Sequence, residues 1–109
     1  LITENNHSVG YNKVQGLVAL LDSGASDGGF QIIPGFHHRL KDWAEATAQI
    51  SSRDFVTIPT SERWIRGQYP YRVTMRAGSV VVWSSMMPHC NFPNTSNRFR
   101  MCQYIKMFP

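Results

Sequence analysis

Hydrophobic residues in this chain come in short bursts separated by turn-forming residues. Residues 1–13 are polar, with the composition of a loop. The run "VQGLVALL", Val14 to Leu21, is apolar on both faces. Its length and valines suit a buried strand, although periodicity by itself leaves a helix open. "DSGASDGG", from Asp22 to Gly29, reads as a turn, because Gly, Ser and Asp favour tight or left-handed backbone. A second strand is expected over Phe30–Ile33, stopped by Pro34-Gly35. Leu40, Trp43, Ala44, Thr47 and Ala48 then recur at three- and four-residue steps with charged residues between them. That spacing predicts a helix over residues 40–50, packed by its apolar stripe onto the outside of a sheet.

"DFVTIP" is expected to be a short strand or an extended segment, and residues 60–71 an irregular loop. The aromatics of that stretch, Trp64, Tyr69 and Tyr71, either pack locally or line a substrate entrance. Strands are predicted over Arg72–Met75 and Ser79–Trp83, joined across a tight turn at Arg76-Ala77-Gly78. A loop from Ser84 to Asn97 and a final strand from Arg98 to Met107 close the chain. About six short strands with one inserted helix, and no β/α alternation, exclude a doubly wound fold. They favour a mainly β domain, a sandwich or jelly-roll-like sheet.

Composition narrows the picture modestly. The 109 residues suffice for one small domain, residues 1–109, with a feasible core. The 42% hydrophobic and 17% charged content is that of a folded chain. A net charge of +4 is spread without any Lys/Arg run, so no nucleic-acid partner is expected. Nothing resembles a signal peptide or a membrane span. Cys90 and Cys102 form no C-x-x-C, which argues against a zinc ribbon or a thioredoxin-type site. Two free thiols point to a reducing, cytoplasmic setting, with a single disulfide as the other possibility.

The candidate chemistry gathers near the end of the chain. His89 follows "VVVWSSMMP", at the mouth of a buried strand, where it is either a metal ligand or a hydrogen-bonding loop residue. Arg100 lies eleven residues on, across a loop containing Pro93, Asn94 and Ser96 that could bring the chain back as an adjacent antiparallel strand. Side-chain alternation would put Arg98, Arg100, Cys102 and Tyr104 on one face, suited to a polar cavity. Phe99, Met101, Ile105 and Met107 would take the other, packed against a layer. An inward arginine needs an anion, and a carboxylate matches its planar fork. Solvated arginines on an edge strand are the alternative.

Two stretches, in this order, resemble the phytanoyl-CoA dioxygenase-like branch of the Fe(II)/2-oxoglutarate-dependent oxygenases. "VQGLVALLDSGASDGGFQIIPGFHH" looks like that family's strand, turn and "PGSH" signature. "MRAGSVVVWSSMMPHCNFPNTSNRFR" is similar to its "AGD", apolar strand, H, N-x-S, R block. The resemblance covers most of residues 14–107. It implies a double-stranded β-helix (jelly roll, cupin-like), here incomplete, with Fe(II) and 2-oxoglutarate in its mouth. His89 matches the distal metal-binding histidine, and Arg100 the arginine that holds the far carboxylate of 2-oxoglutarate. His37 matches the signature histidine near the cosubstrate, and Asn91 a small polar residue beside it. At Leu17 some members carry an aromatic residue lining the same pocket. No residue is assigned a direct catalytic role.

The family's other two metal ligands form an H-x-D or H-x-E pair, and none of His7, His37, His38 or His89 begins one. The simplest account is a C-terminal part of a longer oxygenase, cut just after that pair, which by itself binds iron weakly or not at all. His7 with Glu4 or Asp22 is the substitute set. Phe36 replaces the small residue of "PGSH". His37 and His38, as neighbours on a strand, would point to opposite faces and not share an ion. The expected function is hydroxylation of a small organic substrate. The alternative is a non-catalytic β-domain that keeps the oxygenase scaffold and, through unpaired strand edges, associates with copies of itself.

Overall fold

The computed structural model of the chain describes residues 14–47, 56–59 and 67–107. Six strands, β1 (Val14–Ala19), β2 (Asp27–Ile32), β3 (Tyr71–Arg72), β4 (Val80–Ser84), β5 (His89–Asn94) and β6 (Cys102–Met107), accompany one helix, α1 (Leu40–Thr47). A short 3-10 turn, Phe36–Arg39, leads into that helix. The strands form two three-stranded antiparallel sheets, ordered β4-β1-β6 and β3-β2-β5. The fold class is mainly β, as the short apolar runs imply.

The register explains the core. Leu17 of β1 lies opposite Val81 and Tyr104, so Leu17, Val81 and Tyr104 share one face of the first sheet. Phe30 lies opposite Asn91, and Ile32 opposite His89, so these four share one face of the second. The two faces meet in a core of Leu17, Phe30 and Trp83, with Ile32, Val73, Met75, Val81, Met87 and Cys102 packed around it. Phe30 and Trp83 touch with ring centroids 4.2 Å apart.

Several elements differ from the expectation. β2 begins at Asp27, inside the stretch read as a turn, because Gly28 (φ 75°) and Gly29 (φ 130°) take backbone angles open mainly to glycine. Residues 89–94, read as loop, form β5 against β2. Pro93 hides this strand in the sequence and is tolerated because, among the described strands, β5 is an edge with β2 as its partner. The last strand starts at Cys102, so Arg98 and Arg100 precede it. β5 and β6 are not adjacent, since they belong to different sheets. Phe99, Met101, Ile105 and Met107 are exposed, not packed under a layer. β3 is two residues long, with a separate bridge from Met75 to Ser23 in place of a continuous strand. Residues 56–59 form no strand, and most of the loop expected at 60–71 lies outside the described residues. The turn at Arg76–Ser79 is present, with Gly78 at φ 84° and the Ala77 N–H donating to Asp22 Oδ1 at 2.7 Å.

The helix packs elsewhere than foreseen. Trp43 joins Ile33 and the wholly buried Phe36 in a satellite core with Leu40, Ala44 and Ile58. Its stripe therefore closes on the turn after β2 and not on a sheet surface. Residues 48–50 of the expected helix lie outside the described residues.

One ion pair joins the two ends of this arrangement. Asp27, 1% exposed, receives Arg98 Nε at 3.1 Å on Oδ1, while Arg98 Nη2 pairs with Oδ2. The Gly24 N–H also donates to Oδ2, at 2.7 Å. The loop between β5 and Arg98 is cross-tied. Asn94 Nδ2 donates to the Arg98 carbonyl at 2.7 Å, the Ser96 N–H to Asn94 Oδ1 at 2.8 Å, and the Arg98 N–H to Ser96 Oγ at 3.0 Å. The Arg98 side chain first, then the Gly24 N–H and the Ser96 side chain, hold the Asp27 carboxyl down at about 2 against an ordinary 3.8. A carboxylate with a depressed pKa stabilises the fold above its unfolded pKa and ceases to do so as pH falls through the folded value. The stability advantage of wild type over Asp27→Asn, read from thermal melts, should therefore be constant from pH 7 down to about 4 and shrink between about 4 and about 2. Leu17→Ala, at the centre of the core, should cost about 2–5 kcal/mol in chemical denaturation.

Candidate functional site

β5 carries two of the residues singled out from sequence. His89 and Asn91 alternate onto the same face as Phe30 and Ile32, toward the first sheet. His89 is exposed at the mouth and lies against the core, its ring 5.8 Å from Phe30 and 5.3 Å from Trp83. Its Nδ1 is 2.7 Å from the Met87 carbonyl. A carbonyl only accepts, so Nδ1 carries the proton, and a neutral ring keeps its lone pair on Nε2. That tautomer, fixed by a backbone oxygen, is the one a metal-binding imidazole needs. The Trp83 indole N–H beside it is buried and has no hydrogen-bond partner among the described residues.

Arg100 arrives from the other sheet. It is half-buried just before β6, and no carboxylate lies within ion-pair distance of it among the described residues. Its Nη2 donates to Tyr104 Oη at 3.1 Å, and Tyr104 Oη donates to Asn91 Oδ1 at 2.8 Å. Its guanidinium stem rests on Gly29, where a Cβ would come within 2.9 Å of Nε. Arg100 also lines a small cavity with Leu17, Ser23, Phe30, Val73 and Cys102. So the structure brings Asn91, Arg100 and the Leu17 position together in the space between the sheets, two residues from His89.

Other candidates fall elsewhere. Arg98 does not share the inward face with Arg100; it is held by Asp27. His37 and His38 sit on the 3-10 turn and not on a strand, both exposed, with their ring centres 3.8 Å apart and the rings tilted by 42°. No hydrogen bond or ring contact among the described residues joins His37 to His89, Asn91 or Arg100. The Ile33 N–H donates to the Pro88 carbonyl at 3.3 Å, which carries the β2–β5 pairing one residue further and stops short of the turn that bears His37. Asp22 caps the Ala77 turn, and His7 and Glu4 lie outside the described residues. Cys90 and Cys102 are free thiols.

Sequence reading missed the Asp27–Arg98 pair, the seat at Gly29 and the bridging role of Tyr104. Asp27-Gly28-Gly29 was the available signal, but turn chemistry accounts for those residues equally well.

The family profile described as Phytanoyl-CoA dioxygenase (PhyH) matches residues 4–102. A curated protein of Dictyostelium discoideum, named "Putative phytanoyl-CoA dioxygenase", is 36% identical over 113 residues, which cover 99% of this chain and 31% of that protein. No solved structure matches the chain significantly. The chain belongs to the phytanoyl-CoA dioxygenase family, and it spans about a third of the length of that relative.

The seat of Arg100 can be tested by substitution. Gly29→Ala and Gly78→Ala both place a side chain at positive φ, a strain of about 1–3 kcal/mol. At Gly78 nothing lies within 4 Å, whereas at Gly29 the new methyl displaces Arg100. Both variants should lose stability in thermal melts, and Gly29→Ala should lose more, because only there does the new methyl also push a neighbouring side chain out of its seat.

Proposed function

We propose that this chain is the part of an Fe(II)- and 2-oxoglutarate-dependent oxygenase, a hydroxylase of a small organic substrate, that binds the cosubstrate and supplies one metal ligand. Family membership supports the dioxygenase class. On this reading the two sheets are parts of a double-stranded β-helix, and the site lies at its open end. The observation that carries it is a tautomer-fixed histidine, His89, on the same face of β5 as Asn91, which Tyr104 links to a half-buried arginine without a carboxylate partner among the described residues, Arg100.

The residues fit the two groups unequally. The donor chemistry suits 2-oxoglutarate. Arg100 offers a charged fork to the far carboxylate, and Tyr104 and Asn91 add a hydroxyl and an amide beside it. Bound there, 2-oxoglutarate would supply two reducing equivalents by oxidative loss of carbon dioxide. Iron does not fit the described residues as a complete site. No group of three or more His, Cys, Asp or Glu among them could hold a metal, and one imidazole is short of two histidines and a carboxylate. His89 is therefore proposed as one ligand of a set completed by other residues of the natural protein. The matched signature histidine, His37, is proposed to approach the cosubstrate from the turn after β2.

In the natural full-length protein, carbon dioxide release from 2-oxoglutarate should require Fe(II) with ascorbate and fall to background in His89→Ala. Arg100→Lys should raise the KM for 2-oxoglutarate about 10- to 100-fold, the loss expected when a charge-assisted fork becomes a single point contact. Absence of Fe(II)-dependent decarboxylation in the intact protein would sink the catalytic reading.

A second reading, a β-domain that associates with copies of itself, draws on the outer side of the β4-β1-β6 sheet. Val80, Val82, Ile105 and Met107 are exposed there, on β4 and β6, which are edges among the described strands. Light scattering that returned a strict monomer at high concentration would count against it.

A further inference from the structure

Within the proposed cosubstrate site, Tyr104 is the residue that links Arg100 to β5. It lies on β6, opposite Leu17 of β1, and points into the space between the sheets. Its hydroxyl bridges two groups carried by different elements, accepting from Arg100 Nη2 at 3.1 Å and donating to Asn91 Oδ1 at 2.8 Å. The Arg100 guanidinium also lies 5.8 Å from the centre of the Tyr104 ring, within the range of a cation–π contact. From the opposite side, Gly29 leaves room for the Arg100 stem. Arg100 is thus clasped between a glycine of one sheet and a phenol of the other.

We infer that Tyr104 is a positioning residue for the anion site, aiming Arg100 and donating its own hydroxyl to the carboxylate that docks there. The inference rests on the proposed 2-oxoglutarate reading. Its chemistry follows from the donor inventory. Arginine only donates, so Tyr104 Oη meets it as an acceptor and keeps one O–H to give. Without an anion that O–H goes to Asn91 Oδ1. A carboxylate on Arg100 is a stronger, charged acceptor beside the same hydroxyl, and a phenolic proton swings between acceptors by rotation about one bond. The ligand class is a carboxylate with a second polar end reaching toward His89. The carboxylate on Arg100 would be read by a fork and a hydroxyl together.

The test compares wild type, Tyr104→Phe and Arg100→Lys in the natural full-length protein by calorimetric titration. The probes are 2-oxoglutarate and 2-oxobutyrate, which lacks the far carboxylate. Phenylalanine keeps the ring and removes only the hydroxyl. Tyr104→Phe should weaken 2-oxoglutarate binding about tenfold, the loss of one hydrogen bond to a charged group, and leave 2-oxobutyrate affinity and melting temperature unchanged. Unchanged 2-oxoglutarate affinity in Tyr104→Phe, when Arg100→Lys does lose it, would overturn the role given to Tyr104. Equal losses for both acids with a lowered melting temperature would overturn it too, by showing a structural effect. Failure of wild type itself to bind 2-oxoglutarate would overturn the cosubstrate reading on which the inference stands.

Discussion

A carboxylate that is almost wholly out of water must be matched, and in this domain the matching group comes from 71 residues further along the chain. Asp27 opens β2, and Arg98 closes the loop that leaves β5. Their pairing fixes the start of one strand relative to the exit of its neighbour. It also sets the last anchored point before the chain crosses to the other sheet. Arg100 is two residues beyond that point, too few for it to choose its own position. The hydrogen bonds among Asn94, Ser96 and Arg98 remove what slack remains. The direction in which Arg100 enters the space between the sheets is therefore a consequence of where a buried charge finds its partner.

The core acts on the other half of the site. Phe30 touches Trp83 on one side and approaches His89 on the other, so the imidazole rests on the same aromatic pair that joins the sheets. Packing and chemistry are not separable here. A substitution that enlarges or shrinks the core at Phe30 or Trp83 moves the platform under His89. The backbone carbonyl of Met87, itself packed on that core, selects which ring nitrogen is free.

The sequence makes plain those features that need only local information. Continuous apolar runs announce β1 and β4, and Gly78 announces the turn before β4, since each depends on neighbours a few residues away. β5 was hidden because Pro93 and two asparagines carry turn chemistry that an edge strand can absorb. The assignment of β5 and β6 to different sheets was out of reach, because pairing partners are fixed by packing and not by the eleven-residue step between His89 and Arg100. That step, with its flanking motifs, did mark both residues through the family resemblance. The clasp around Arg100 stayed hidden because Gly29, Asn91 and Tyr104 meet only after both sheets have formed.

The contact between Trp83 and His89 has an optical consequence. An indole whose ring centre lies 5.3 Å from an imidazole is within quenching range of whatever that imidazole binds. Trp43, the other tryptophan among the described residues, belongs to the satellite core around Phe36. The emission of Trp83 is therefore a built-in gauge at His89. A transition-metal ion arriving there would quench Trp83, and occupancy could be followed without any added label.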